Sequence, residues 1–331
     1  MGWLGRVRWH IVFFTVIAVS LPSVFVGLLA RRLLHEQARA LGLVCRDSNR
    51  TVPRGRLPSL PPSESADSLS CTPDQKLLVA KYTADLATRT KAVRQASHLI
   101  KSDSTSGCEL WDTPHGRYWV VEGNMDSFAE ALAEEDNAIY DALQGGVRSG
   151  DIVLDCGAHL GAFTRAALKH GAAQVVAIDL SPRNIRCLSK TFAGEIQAGR
   201  VKVCPKGVWD KDDELTLYED GQTIGDSVVL QKQSKGRKVQ LTSIDKLVQE
   251  LRLSRVDFIK MDIEGAEVRA LRGASQTLRR YRPRMAISAH HLVSDPHDVP
   301  WAARLAVPDY WMSSPTCMHF VAERPIVTMF R

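Results

Sequence analysis

Four short segments carry the residues that could do chemistry. The first runs Asp155-Cys156-Gly157-Ala158-His159-Leu160-Gly161, directly after an apolar strand pattern and at the opening of a helical one. Gly157 permits a sharp turn and close approach to a ligand, and Gly161 permits tight packing of helix on strand. Helix-terminal N–H groups then face an anionic group. Asp155, Gly157, Ala158, His159 and Gly161 are therefore candidate ligand-binding residues. The spacing is G-x-x-x-G after an aspartate, not the G-x-G-x-x-G of dinucleotide binders, which argues against a nicotinamide enzyme. The second is Asp179, at the end of the next strand pattern, where a carboxylate can accept the ribose hydroxyls of an adenosine ligand. Its competing role is to cap the helix that Ser181-Pro182 open. The third is Lys260-Met261-Asp262-Ile263-Glu264-Gly265-Ala266-Glu267, where three carboxylates and a lysine meet at a strand end. Buried charges of this kind are costly unless used or paired; Glu267 in part suits the start of the following helix. The fourth is His290-His291, and a histidine there can act as a general base near neutral pH.

The pattern between these segments predicts what positions them. Strands are expected at 116–123, 152–155, 175–179, 201–203, 256–262 and in RMAISAH, with helices near 160–170 and 182–193 and over SIDKLVQEL and AEVRALRGASQTLRR. Thr242 and Asp245 are spaced as a capping box. Phe128, Leu132, Ile139 and Leu143 form one helical face, and 207–240 is an insertion of short β-like runs. Strand–helix alternation over this length implies a parallel sheet covered on both faces, an α/β doubly wound domain whose ligands bind at the C-terminal strand ends.

The turn DCGAHLGAFT, the segment LTSIDKL, the stretch VDFIKMDIEGAEVRALRGA and the following strand ending in histidine together resemble the FkbM family, over roughly residues 110–330. The resemblance implies a class I, Rossmann-like methyltransferase fold with a β insertion. It also implies S-adenosyl-L-methionine as cofactor, with Gly157, Gly161 and their neighbours holding its methionine part and Asp179 its ribose. Acceptors would be hydroxyls of sugars, glycans, lipid-linked units or secondary metabolites. His159 stands where the family often has Asn, and Asp179-Leu180 where it often has Glu-Pro; the histidine is bulkier and able to titrate. In an in-line methyl transfer His291 is the expected base, Asp262 its orienting partner, and Lys260 and Glu264 supporting groups. No metal is expected; a divalent cation on Asp262 and Glu264 is the alternative. A non-catalytic S-adenosylmethionine-binding module would not need the charged strand end, and an aminopropyltransferase would want an acidic groove.

The chain has 331 residues and a formal charge of +6. Residues 1–56 hold nine Arg against Glu36 and Asp47, leaving 34 basic and 35 acidic residues beyond them. The bulk of the protein is therefore near neutral, which argues against nucleic acid as a partner. Residues 11–30 are uncharged and mostly apolar, long enough to span a bilayer as a helix, with a cleaved signal peptide as the alternative. Residues 1–10 form a short tail, 31–73 a basic and then Pro/Ser-rich linker, 74–107 a helical lead-in and 108–331 the methyltransferase domain. Arg31, Arg32, Arg39, Arg46 and Arg50 outnumber Arg6 and Arg8, which predicts a membrane anchor with the catalytic domain facing the cytoplasm. The seven Cys are odd in number, without C-x-x-C spacing, and suggest buried thiols in a reducing compartment rather than disulfides or zinc.

Overall fold

In the computed structural model, residues 73–136, 140, 146–218, 227–229, 236–319 and 323–331 are described. The candidate span 11–30, its flanks, most of the linker, and Ile139 and Leu143 lie outside them. Among the described residues no helix is long and apolar enough to cross a membrane. The chain enters with helix α1 (Pro73–Ala96), then β1 (His98–Asp103), β2 (Cys108–Thr113) and β3 (Gly116–Val121), and helix α2 (Met125–Asp136). The expected alternation follows: β4 (Ile152–Cys156), α3 (Ala162–Lys169), β5 (Gln174–Ile178), α4 (Pro182–Thr191), α5 (Ala193–Gln197) and β6 (Val201–Cys204). The insertion contributes β7 (Gly207–Trp209), β8 (Asp213–Leu217) and β9 (Arg237–Ser243). After α6 (Ile244–Glu250) come β10 (Phe258–Met261), α7 (Glu267–Arg272), α8 (Ser275–Tyr281), β11 (Arg284–Ser288), α9 (Asp295–Ala306), β12 (Met312–His319) and β13 (Glu323–Phe330).

Seven strands form one sheet in the order β12-β13-β11-β10-β4-β5-β6. Strands β6, β5, β4, β10 and β11 are parallel, while β13 is antiparallel to β11 and to β12. This is the class I methyltransferase-like α/β fold. The sequence reading of a parallel sheet holds for five strands, and the reversed C-terminal pair is an addition to it. Chain order reverses between β4 and β10, so their C-terminal ends flank the crevice where such sheets bind ligands. The register sets Lys260 opposite Asp155 and Met261 opposite Cys156.

The pleat sends alternate side chains to opposite layers. Leu154, Cys156, Ile259 and Met261 face a core shared with α6 to α9, whereas Val153, Val175 and Phe258 pack with Phe163 on the other side. Two local expectations change. The stretch read as one helix after Ala266 is two, α7 and α8. The cap of α6 is Ser243, whose Oγ accepts from Lys246 N–H at 3.2 Å. Asp245 instead accepts from Gln276 and Thr277 N–H, at 3.0 and 2.7 Å, and so caps α8.

The antiparallel sheet β1-β2-β3 docks on α4. Trp119 N–H donates to Thr191 Oγ1 at 2.8 Å, and Lys190 lies 4.1 Å above the Trp119 ring. The joint is also covalent: Cys108 of β2 and Cys187 of α4 form a disulfide with Cα atoms 6.0 Å apart. This corrects the expectation of unpaired thiols, which holds only for Cys156 and Cys204 among the described residues. Cys108 and Cys187 are 79 residues apart, so spacing gave no hint; the two elements are brought together by the fold. A loop of that length restricts the unfolded chain by about 4 kcal/mol. Replacing both cysteines by serine should lower the melting temperature by roughly 10 °C. Scanning calorimetry checks this, and an unchanged transition would remove the cross-link from the stabilising forces.

Candidate active site

The turn after β4 passes beneath the end of β10. Gly157 has φ 80°, and a Cβ there would lie 1.9 Å from the carbonyl oxygen of Asp262. The N–H groups of Gly157 and Ala158 donate to Ile178 O at 3.0 and 2.9 Å, tying the turn to β5. His159 follows with φ 52°, a region histidine enters more readily than most residues. Its N–H donates to Asp179 Oδ2 at 2.8 Å. Asp179 Oδ1 accepts from Ser181 N–H at 2.8 Å and from Asn184 Nδ2 at 3.3 Å. Asp179 thus holds the start of α4 and lines the cleft. A carboxylate offers about four acceptor positions. At least three are taken by the protein.

These residues wall a cleft with about 990 Å³ of empty space out to its mouth. Gly157, Ala158, His159 and Asp179 line one side, and Lys260, Asp262 and Glu264 the other. Asp155 and Gly161 stand behind this wall, a change from their expected place. The fully buried Asp155 accepts from Thr164 Oγ1 at 2.6 Å. A Cβ on Gly161 would meet Phe192 at 2.2 Å, so that glycine serves packing of α3 against the end of α4. Nor does His159 titrate near neutral pH. Burial, reinforced by Lys260, pushes its imidazole down to about 3.

Lys260 sits between the two sides. Its Nζ donates to Gly157 O at 2.8 Å and lies 3.5 Å from Asp155 Oδ1, with the side chain 6% exposed. It is engaged with the turn rather than offered to an acceptor. Burial opposes its charge, but Asp155 and Asp262 raise its pKa above the ordinary value. Asp262 Oδ2 accepts from Tyr140 OH at 2.8 Å. Burial disfavours the Asp262 charge, yet Lys260 and His291 hold the carboxylate well below the usual range.

His291 joins Asp262 and Glu264 as the sequence suggested. Its Nε2 lies 3.3 Å from Asp262 Oδ1 and 3.6 Å from Glu264 Oε1. Its Nδ1 lies 3.0 Å from Oε1 of the fully buried Glu267, which also accepts Ile263 N–H at 3.0 Å. Burial opposes the imidazolium, but Glu267, Glu264 and Asp262 raise its pKa well above the ordinary value. These carboxylates favour the imidazolium, and the ring stands behind Asp262 rather than on the cleft wall. Both facts count against His291 as the first acceptor of a proton. Asp262, Glu267 and His291 also bring one donor atom each within 4.8 Å of one another, the spacing of cation ligands.

Three contributors were not singled out from the sequence. Glu267 was read in part as a helix start, and its spacing to Ile263, four residues back, was the available signal of an inward-bent carboxylate. Glu134 of α2 lines the cleft, where burial and then Asp262 push its carboxyl well above the usual range. Tyr140 reaches Asp262 across 122 positions of sequence, with no local signal at all.

Residues 155–300 match the family model described as the methyltransferase FkbM domain. The match spans the glycine turn, Asp179, the strand end of β10 and His291. It bears out the resemblance to the FkbM family and identifies this segment as a methyltransferase domain. No curated protein matches the chain. Among solved structures it is similar to a methyltransferase FkbM from Methylobacillus flagellatus, at 18% identity and TM-score 0.44, over 78% of this chain and 61% of that one. The chain thus spans about three fifths of that protein's length. A putative rRNA methylase from Clostridium thermocellum is 10% identical with TM-score 0.36, over 56% of this chain and 87% of its own. A putative methyltransferase from Streptococcus mutans, solved in complex with SAH, is 12% identical with TM-score 0.33, over 56% and 89%.

Two glycines separate the turn's requirement from general effects. Gly157→Ala must leave φ 80° and move the Asp262 carbonyl, so S-adenosylhomocysteine binding by calorimetry should weaken at least 100-fold. Gly194→Ala, in α5 with nothing within 4 Å of the new Cβ, should leave binding unchanged and stability level or up by about 0.5 kcal/mol. Equal losses in both variants would refute the close-approach argument.

Proposed function

We propose that the protein is an S-adenosyl-L-methionine-dependent O-methyltransferase, acting on a hydroxyl of a sugar, glycan, lipid-linked or secondary-metabolite acceptor. The observation that carries this is the cleft itself. A glycine turn that no side chain could occupy and the Asp179 carboxylate form one wall, and an ionised carboxylate at the end of β10 stands on the other. The residues present fit the cofactor: Gly157, Ala158 and His159 would hold its methionine part, and Asp179 its ribose. The cofactor supplies a methyl group on a sulfonium, a positive centre that suits a cleft bearing Asp262, Glu264 and Asp179.

The chain's own residues then have three tasks. Lys260 fixes the turn against β10 through Gly157 O, so that the two walls keep their spacing. Asp262, 30% exposed and ionised, accepts the hydrogen bond of the acceptor hydroxyl at a carboxylate oxygen. A hydroxyl becomes strongly acidic as its oxygen forms a third bond, to the transferred methyl carbon, so a weakly basic carboxylate suffices as the proton acceptor. His291, pinned by Glu267, is a positioning residue that keeps Asp262 ionised and oriented. The membrane is proposed as a further partner, engaged through residues 11–30.

Calorimetry should give micromolar binding of S-adenosylmethionine and S-adenosylhomocysteine and none of NAD; NAD binding alone would overturn the cofactor assignment. Asp262→Asn should cut turnover by roughly 10²- to 10⁴-fold with cofactor affinity little changed. The pH profile tests the roles. Asp262 acts when ionised and its pKa is depressed, so wild-type activity should fall only in strong acid. His291→Ala removes a neighbouring cation, raises that pKa and should move the acid limb upward in pH. A wild-type rate that instead climbs through the alkaline range would make His291 the base.

A further inference from the structure

The Cys108–Cys187 cross-link belongs to no part of the catalytic cleft, yet it restricts where the enzyme can work. Both cysteines are buried, at 1% and 0% exposure, among Tyr118, Phe128, Leu188 and Phe192. The bond fastens β2 to α4, and α4 carries Asn184, which holds Asp179. Cys156 and Cys204 are also buried but remain thiols, so among the described residues pairing joins the two cysteines that link β2 to α4. Structural disulfides of this kind form and persist in oxidising compartments and are rare in the cytosol. The chain also carries, at 11–30, an apolar segment of the length that enters a membrane.

We propose that the methyltransferase domain resides on the non-cytosolic side of a membrane, in an oxidising compartment, with Arg6 and Arg8 on the cytosolic flank of the 11–30 segment. This reverses the orientation expected from Arg31, Arg32, Arg39, Arg46 and Arg50. The charge rule is a bias that flanking charges compete over, whereas the cross-link has a definite chemical requirement. The Cys108 and Cys187 thiols lose two protons and two electrons as the S–S bond forms. A protein disulfide of that compartment takes them up and leaves as a dithiol. For the transfer reaction, and resting on the function proposed above, acceptors are hydroxyls displayed on that side. A membrane carrier for the cationic methyl donor must then precede the step.

The test uses the full-length chain in the membranes of its own host, with thiols blocked by one alkylating label at lysis under denaturing conditions. Reduction and a second label follow, before peptide mass spectrometry. Cys108 and Cys187 should carry only the second label, while Cys156 and Cys204 carry the first. In sealed vesicles with the cytosolic face outward, added protease should leave residues 73–331 intact until detergent is supplied. First-label modification of Cys108 and Cys187, or digestion of the domain in sealed vesicles, overturns the proposal. Neither readout involves methyl transfer, so failure here is distinct from failure of the functional assignment.

Discussion

A buried ammonium holds the two halves of the cleft together. Lys260 reaches from β10 to Gly157 O and lies beside Asp155 on β4, the two central strands of the sheet. Its charge is matched by Asp155 behind it and by Asp262 further along the same strand. Taking away one member of such a buried set costs about 3–5 kcal/mol, because the other is left desolvated and unpaired. The cofactor turn and the proposed proton-accepting carboxylate therefore share one structural element. The spacing between the walls is fixed by a hydrogen bond rather than by loop conformation.

Around that pair the remaining charges are arranged in order of burial. Glu267, fully buried, faces the imidazole of His291, and the imidazole faces the half-buried Asp262 and Glu264. Each inner group determines the charge state of the next one outward. The end of the chain of contacts is a carboxylate kept ionised at the cleft wall, with Tyr140 donating to its other oxygen. Glu134 of α2, its carboxyl pushed upward by burial and by Asp262, lines the same cleft. Such grouping of perturbed acids and bases in one cleft is a mark of functional sites.

The accessory sheet serves the same site from outside. Its clasp to α4, by disulfide, by Thr191 and by Lys190 over Trp119, steadies the helix whose first turn is bonded to Asp179. Rigidity at the Asp179 wall of the cleft thus comes from residues 98–121, outside the segment matched by the family model.

Much of this was legible in the sequence because it is local. The apolar runs of β4, β5, β10 and β11, the glycine turn and the charged end of β10 all declare themselves within a dozen residues. The pairing of Gly157 with Asp262, the approach of Tyr140 and Glu134, and the capping of α8 by Asp245 do not. They depend on which strand neighbours which and on register, and register is set by the packing of whole layers. The cysteines show the limit most sharply. Their number and spacing spoke for free thiols, yet Cys108 and Cys187 are paired. By itself the sequence determined the strand and turn identities and the family they resemble. Only the tertiary structure decided that two cysteines 79 positions apart meet, that His291 sits behind Asp262 among three carboxylates, and that Lys260 spends its charge on the turn. Those are distances between elements, and no local pattern encodes them.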